Sequence, residues 1–266
     1  MSGATPAAFL IVPLFGVLLV GATYIVGARY GARVGMASAA IVASTPVFLF
    51  PLLRPTGDVP AAALWVLAVA GVTSTRRRGA ILGGIAAAAA IVMRSNLVPL
   101  AIPLGLFLLL RPEQLGRERL GAAARFAAVA AAGPVCVALL GSGTADVLFD
   151  VQNIQPNAIR YATWLSATLT PGWVLAAAAP FLLPGALTRL FLWMFLLNVA
   201  CYLPYAGPDD WSALRFLLPT IPLVVVLAVA VIDAGCRRTW SWTARPVLLA
   251  VATAMVLFGL RLRALS

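Results

Sequence analysis

Long apolar runs, separated by short clusters of arginine, proline and glycine, make up most of this sequence. Reading the runs between those breaks predicts helices near residues 7–28, 34–53, 60–74, 79–93, 96–110, 122–140, 171–186, 188–205, 214–232 and 246–260. The stretch between Gly141 and Gly172, about 30 residues, lacks a continuous apolar run and reads as the longest loop. A hydrocarbon core about 30 Å thick takes roughly 20 residues of helix. Several runs are shorter than that, so the pattern predicts eight to ten membrane segments. Lipid offers no partner for backbone N–H and C=O groups, which requires the segments to be helices. The expected fold is therefore all-α, a polytopic transmembrane bundle forming one domain over residues 1–266.

Composition agrees with the pattern. Of 266 residues, 62% are hydrophobic and 10% charged, with a mean hydropathy of +1.01. An ordinary soluble domain has roughly 45–50% and about 25%. The net charge of +11 comes from 19 arginines, with no lysine and no histidine. Such a charge raises the question of nucleic acid, but the arginines lie between apolar runs rather than on one soluble face, which argues against it. With ten segments and the N-terminus outside, 13 arginines fall on the inner side and 6 on the outer, as the positive-inside rule expects. Three acids fall inside and five outside. Arg261 and Arg263 are the exceptions, on the outer side.

Further chemistry is narrowed by what is present. No basic stretch precedes the apolar run at Ala7, so a removable signal peptide is not expected. Cys136, Cys201 and Cys236 are scattered and lack metal-ligand spacing, which points to packing residues rather than zinc or disulfides. A glycine-rich phosphate loop and a Ser/His/Asp set are also missing, which leaves soluble nucleotide-sugar and hydrolase chemistry unsupported. Small-residue runs such as GGIAAAAA (83–90) and AAVAAAG (127–133) allow helix backbones to approach closely.

Polar groups gather at four outer boundaries. LRPTGDVPAAALW (53–65) holds Arg54 and Asp58, with Pro60 placed to begin a helix. IVMRSNLVPL (91–100) holds Arg94 and Asn96. The long loop holds Asp146, Asp150, Asn153, Asn157, Arg160, Tyr161 and Trp164. YAGPDDWSALRFLLP (205–219) holds Asp209, Asp210, Trp211 and Arg215. Any one of these could be a solvated or headgroup-anchoring residue. Four boundaries each bearing an arginine, three with an acid nearby, suggest more. A guanidinium fork suits phosphate oxygens, and a carboxylate beside it can orient the fork or accept a proton. An outer-boundary pocket of this kind would suit the phosphate of a lipid whose tail stays in the bilayer.

The succession RPTGDVPAAALW, IVMRSNLVPLAIPL, NAIRYATW and WSALRFLLPTIP resembles bacterial membrane glycosyltransferases of the GT-C superfamily, which includes protein mannosyltransferases and the aminoarabinose transferases of lipid A. The likeness runs from about Val12 to Ala230 and rests on loose motifs. It implies a multi-pass protein of the bacterial cytoplasmic membrane that transfers sugar from a polyprenyl-phosphate donor on the extracytoplasmic side. By resemblance, Asp58 matches an acidic catalytic-site residue, without assignment as general base, and Arg94, Arg160 and Arg215 would hold the donor phosphate. Arg54, Asn96, Tyr161, Asp209 and Asp210 complete the candidate substrate-binding set. The implied partners are membrane lipid and the polyprenyl-phosphate sugar, without nucleic acid. No cofactor is firmly implied, and a divalent cation is left open. Family members are commonly longer and carry their principal catalytic carboxylate in a first large outer loop; this chain begins where the segment after that loop would begin, as a fragment of a longer enzyme would. Two other readings stand: a transporter or flippase for a lipid-linked or anionic solute, and a non-catalytic membrane scaffold.

Overall fold

The computed structural model describes residues 6–76, 78–111, 116–140, 150–206 and 210–239. Twelve α-helices lie among them: α1 (Pro6–Gly27), α2 (Ala32–Ser44), α3 (Pro46–Leu52), α4 (Asp58–Val72), α5 (Gly79–Met93), α6 (Ala101–Leu109), α7 (Gly116–Ala130), α8 (Ala132–Leu139), α9 (Ile154–Leu169), α10 (Ala179–Leu182), α11 (Ala186–Tyr202) and α12 (Ile221–Thr239). Short 3-10 segments at Ser95–Leu100, Val151–Asn153, Pro171–Ala178 and Trp211–Leu217 join them, and the described residues contain no β-strand. The expected all-α membrane bundle is what forms.

Sequence decides which helices lie at the centre. α4 reads DVPAAALWVLAVAGV, apolar all round, and 12 of its 15 residues are buried, as expected of a helix enclosed by neighbours. The start of α12 is enclosed in the same way, from Ile221 to Val231. α1 instead turns Leu10, Ile11, Leu14 and Val17 outward, all more than half exposed, a face suited to lipid. Close helix contact occurs where side chains vanish. A Cβ on Gly71 would stand 2.8 Å from the Gly83 nitrogen, and one on Gly35 would stand 2.7 Å from the Tyr24 oxygen. The small-residue runs at 83–90 and 127–133 serve this purpose: Gly84 abuts Val129, and Gly133 abuts Ile91. α5 and the α7–α8 rod thus run side by side in the same direction.

Proline breaks several spans. Among the described residues, two helices, Leu10–Gly27 and Gly116–Leu139, are continuous and apolar enough to cross a membrane; three further candidates are bent pairs, and four apolar helices are shorter. Thr45, restricted by the following Pro46, is extended at φ −73° and ψ 140°, and α2 meets α3 at 57°. Pro219 stands in the break that bends Trp211–Leu217 by 86° from α12. Thr170, just before Pro171, takes φ 63° and ψ 159°, and the chain there turns through 107°.

The long-loop expectation is corrected. Residues 154–169 form α9, whose buried Asn157, Tyr161, Leu165, Thr168 and Leu169 recur at helical spacing along one face. Continuous apolarity passes over such an amphipathic helix. α4 also begins at Asp58, two residues earlier than Pro60, and α12 continues to Thr239 rather than 232. The segment expected at 246–260 lies outside the described residues.

Candidate functional site

Chain segments far apart in sequence meet at one end of the bundle, around Asp58. Asp58 opens α4, where the positive end of the helix dipole favours a carboxylate. Its side chain is 12% exposed, and its Oδ1 accepts a 2.8 Å hydrogen bond from Arg94 Nη1. Arg94 is the residue at which α5 stops, extended at φ −149° and ψ 99°, and this turn swings its side chain back over α4. Its side chain is 10% exposed. Two further donors go to the Arg215 carbonyl at 3.3 Å and the Tyr202 hydroxyl at 3.2 Å. Arg215 Nε stands 3.9 Å from Asp58 Oδ2, and the Arg215 side chain is 30% exposed. One buried carboxylate thus faces two guanidinium groups, the second of which still reaches the surface.

An aromatic floor fixes both arginines. Tyr202 stacks on Phe216 with ring centres 5.2 Å apart and planes within 10°. The guanidinium carbons of Arg94 and Arg215 lie 5.1 and 5.2 Å from the Phe216 ring centre. Asn96 Nδ2 donates to the Tyr202 hydroxyl from the 3-10 segment after α5. Tyr205 meets both rings edge-on. α9 is tied in by Asn157, whose Nδ2 donates to the carbonyls of Leu203 at 2.9 Å and Tyr205 at 2.8 Å.

The rim carries further candidates. Arg54 is exposed, with its guanidinium 4.0 Å above the Phe50 ring, and Phe50 packs edge-on against Trp211 at 5.1 Å. Asp210 Oδ1 accepts the Ser212 N–H at 2.8 Å, capping the 211–217 turn that carries Arg215. Hydrogen bonds from the Ser212 side chain and amide, then the charges of Arg215 and Arg54, hold the Asp210 carboxyl below its ordinary value.

Of the residues singled out from sequence, Asp58, Arg94, Asn96 and Arg215 form the connected cluster, and Arg54 and Asp210 form its rim. Arg160 and Tyr161 lie on α9, the first exposed and the second buried edge-on to Trp164 at 5.9 Å, on the side of α9 that approaches the Tyr202 and Tyr205 hydroxyls. Asp209 and Asp146 lie outside the described residues. Tyr202 and Phe216 were not singled out, because aromatic residues in apolar runs read as core. A usable signal existed in Asn198 and Tyr202, polar groups four apart on α11; Asn198 Nδ2 donates to Thr220 Oγ1 at 2.8 Å. Among the described residues, no group of three or more Cys, Asp or Glu side chains is placed to hold a metal ion.

The crystal structure of ArnT from Cupriavidus metallidurans in the apo state superposes with a TM-score of 0.58 at 15% identity. The same protein bound to undecaprenyl phosphate gives 0.59 at 15% identity. The chain therefore shares the fold of the matching part of ArnT. Each match covers 88% of this chain but only 46% and 47% of the ArnT chains, so the chain spans about half the length of the ArnT structures it matches. No protein-family profile matches the sequence, and no curated protein matches it.

Proposed function

We propose that this chain is the membrane body of a GT-C-type glycosyltransferase that takes its sugar from a polyprenyl phosphate. The observation that carries the reading is the pairing of one buried carboxylate with two arginines, Arg94 and Arg215, at one end of a bundle whose fold resembles ArnT. Undecaprenyl phosphate bound in one ArnT structure supports a lipid phosphate as the ligand class. In this reading the chain is one transmembrane domain of a longer enzyme, and the sugar is transferred at the Asp58 end of the bundle, on the extracytoplasmic side.

The roles follow from exposure and partners. Arg94 is enclosed and bonded to three groups, so it holds Asp58 and the Tyr202 hydroxyl in place. Asp58, pinned by two cations, orients Arg215 rather than accepting a proton from the acceptor. Arg215 keeps an exposed edge and is the main contact for the donor phosphate, with Arg54 and Asn96 beside it. As the acceptor hydroxyl attacks the anomeric carbon and the C–O bond to phosphate breaks, negative charge grows on the departing polyprenyl phosphate. Fixed guanidinium groups stabilise that charge without reorganising. Arg160, exposed on α9, would meet the lipid or acceptor further from the reacting centre, and the buried Tyr161 would seat that helix.

The test is transfer of labelled sugar from a polyprenyl-phosphate donor in proteoliposomes. Arg215→Ala should lower turnover by roughly 10²-fold, in the range seen for loss of one preorganised donor, while Arg215→Lys should keep part of it. Full activity in Arg215→Ala would remove the assigned role. A carrier for a lipid-linked anion is the second reading, favoured by the 107° break at Thr170, since broken helices also serve transporters. Substrate flux without covalent product would select it.

A further inference from the structure

The opposite end of the bundle holds a second concentration of charge, unrelated to the Asp58 cluster. A cavity of about 590 Å³ opens there between the α4–α5 connection and α7. That size is within the range of small-ligand sites, about 300–1,000 Å³. Among the described residues, four arginines line it, Arg76, Arg111, Arg117 and Arg125, together with Glu118 and Leu108.

The charges have different duties. Arg111 donates to the Val72 carbonyl at 2.7 Å and the Ser74 carbonyl at 3.0 Å, answering the negative C-terminal end of α4. Arg76, Arg117 and Arg125 remain exposed around the cavity. The N-terminal ends of α5 and α7 also approach it, since Ala80 and Arg117 belong to the lining and lie in their first turns, adding positive dipole ends. An anion is the occupant this field favours. Its source is suggested by the neighbours: Leu110 and Leu120 are 71% and 65% exposed beside the cavity, as expected of side chains that face lipid.

We propose that this cavity binds a phosphate group through Arg76, Arg117 and Arg125, and that the phosphate belongs to the headgroup of an anionic phospholipid in the leaflet opposite the Asp58 site. The guanidinium forks take the phosphate oxygens while Leu110 and Leu120 lie along the first acyl carbons. This site is independent of sugar transfer, so it stands or falls separately from the glycosyltransferase reading.

The experiment measures lipid retention by native mass spectrometry, with the protein reconstituted either in phosphatidylcholine nanodiscs or in nanodiscs containing phosphatidylglycerol. The triple variant Arg76→Gln/Arg117→Gln/Arg125→Gln should bind phosphatidylglycerol about tenfold more weakly than the parent. A control triple, Arg29→Gln/Arg33→Gln/Arg189→Gln, removes the same charge from the same end outside the cavity and should bind as the parent does. Arg125→Gln alone, expected to weaken binding about threefold, serves if the triple variant does not fold. Inorganic phosphate is the second probe. Competition by phosphate together with lipid retention supports the headgroup source, and phosphate binding lost in the cavity triple without any lipid dependence supports the same site with soluble phosphate as its source. Equal loss in both triples would show diffuse attraction between a basic end and acidic lipid and would overturn the proposal, as would failure to bind either probe.

Discussion

Replacing Arg94 with methionine tests whether the Asp58 cluster is held by charge. The substitution keeps the length and apolar stem but removes the fork that donates to Asp58 at 2.8 Å, to the Arg215 carbonyl and to Tyr202. Asp58, with a side chain 12% exposed, is then left with Arg215 Nε at 3.9 Å. Breaking a buried ion pair by removing one partner costs about 3–5 kcal/mol, because the other charge stays desolvated. The residual Arg215 contact places the expected loss near the lower figure, about 3 kcal/mol. At roughly 2–4 °C per kcal/mol for a chain of this size class, the melting temperature in detergent should fall by about 6–12 °C. The double variant Asp58→Asn/Arg94→Met removes both charges, so it should be destabilised by at least about 1.5 kcal/mol less than the sum of the single variants. The assay is thermal unfolding followed by intrinsic fluorescence, with all four proteins compared in one detergent. A single variant within about 1 kcal/mol of the parent, or singles that add in the double, would refute the idea that a desolvated pair organises this end of the bundle.

Other substitutions test separate parts of the fold. Gly83→Val places a side chain where a Cβ already comes within 2.9 Å of the Ala68 oxygen, so α4 and α5 must separate; a loss of at least about 1–3 kcal/mol is expected in the same melt, and an unchanged melt would contradict the close approach. Thr170→Gly removes a non-glycine residue from φ 63° and should raise stability by about 1 kcal/mol, whereas a fall would show that the Thr170 contact to the Gly172 amide matters more than the backbone conformation. The Asp210 carboxyl, bonded to Ser212, should titrate below the ordinary 3.8. Because its folded value is lowered, its contribution to the 211–217 turn is fully present above the unfolded value and is lost as pH falls through the lowered one; carboxyl carbon shifts of labelled aspartate read this, and titration at or above 3.8 would contradict it.

Sequence and structure agree where hydrophobicity alone decides. Membrane helices, the crowded glycines at Gly83 and Gly133, and the boundary positions of Asp58, Arg94 and Arg215 were legible, because desolvation forces each of these choices locally. Two kinds of feature were not legible. α9 was hidden because Asn157 is buried through bonds to the carbonyls of Leu203 and Tyr205, partners that sequence cannot locate. The aromatic floor was hidden because Tyr202 and Phe216 acquire their role only when the 211–217 turn folds over α11. That Asp58 faces two cations likewise depends on the third dimension.

Binding of undecaprenyl phosphate to the purified protein, compared between the parent and Arg215→Ala, tests the central claim most directly. Arg94 still pairs with Asp58 in that variant, so the fold should persist. Loss of one charge-assisted contact, about 1.5–3 kcal/mol, should weaken binding by roughly 10- to 100-fold, while Arg125→Gln at the far end should leave the affinity unchanged. Equal affinity in the parent and Arg215→Ala would contradict the account.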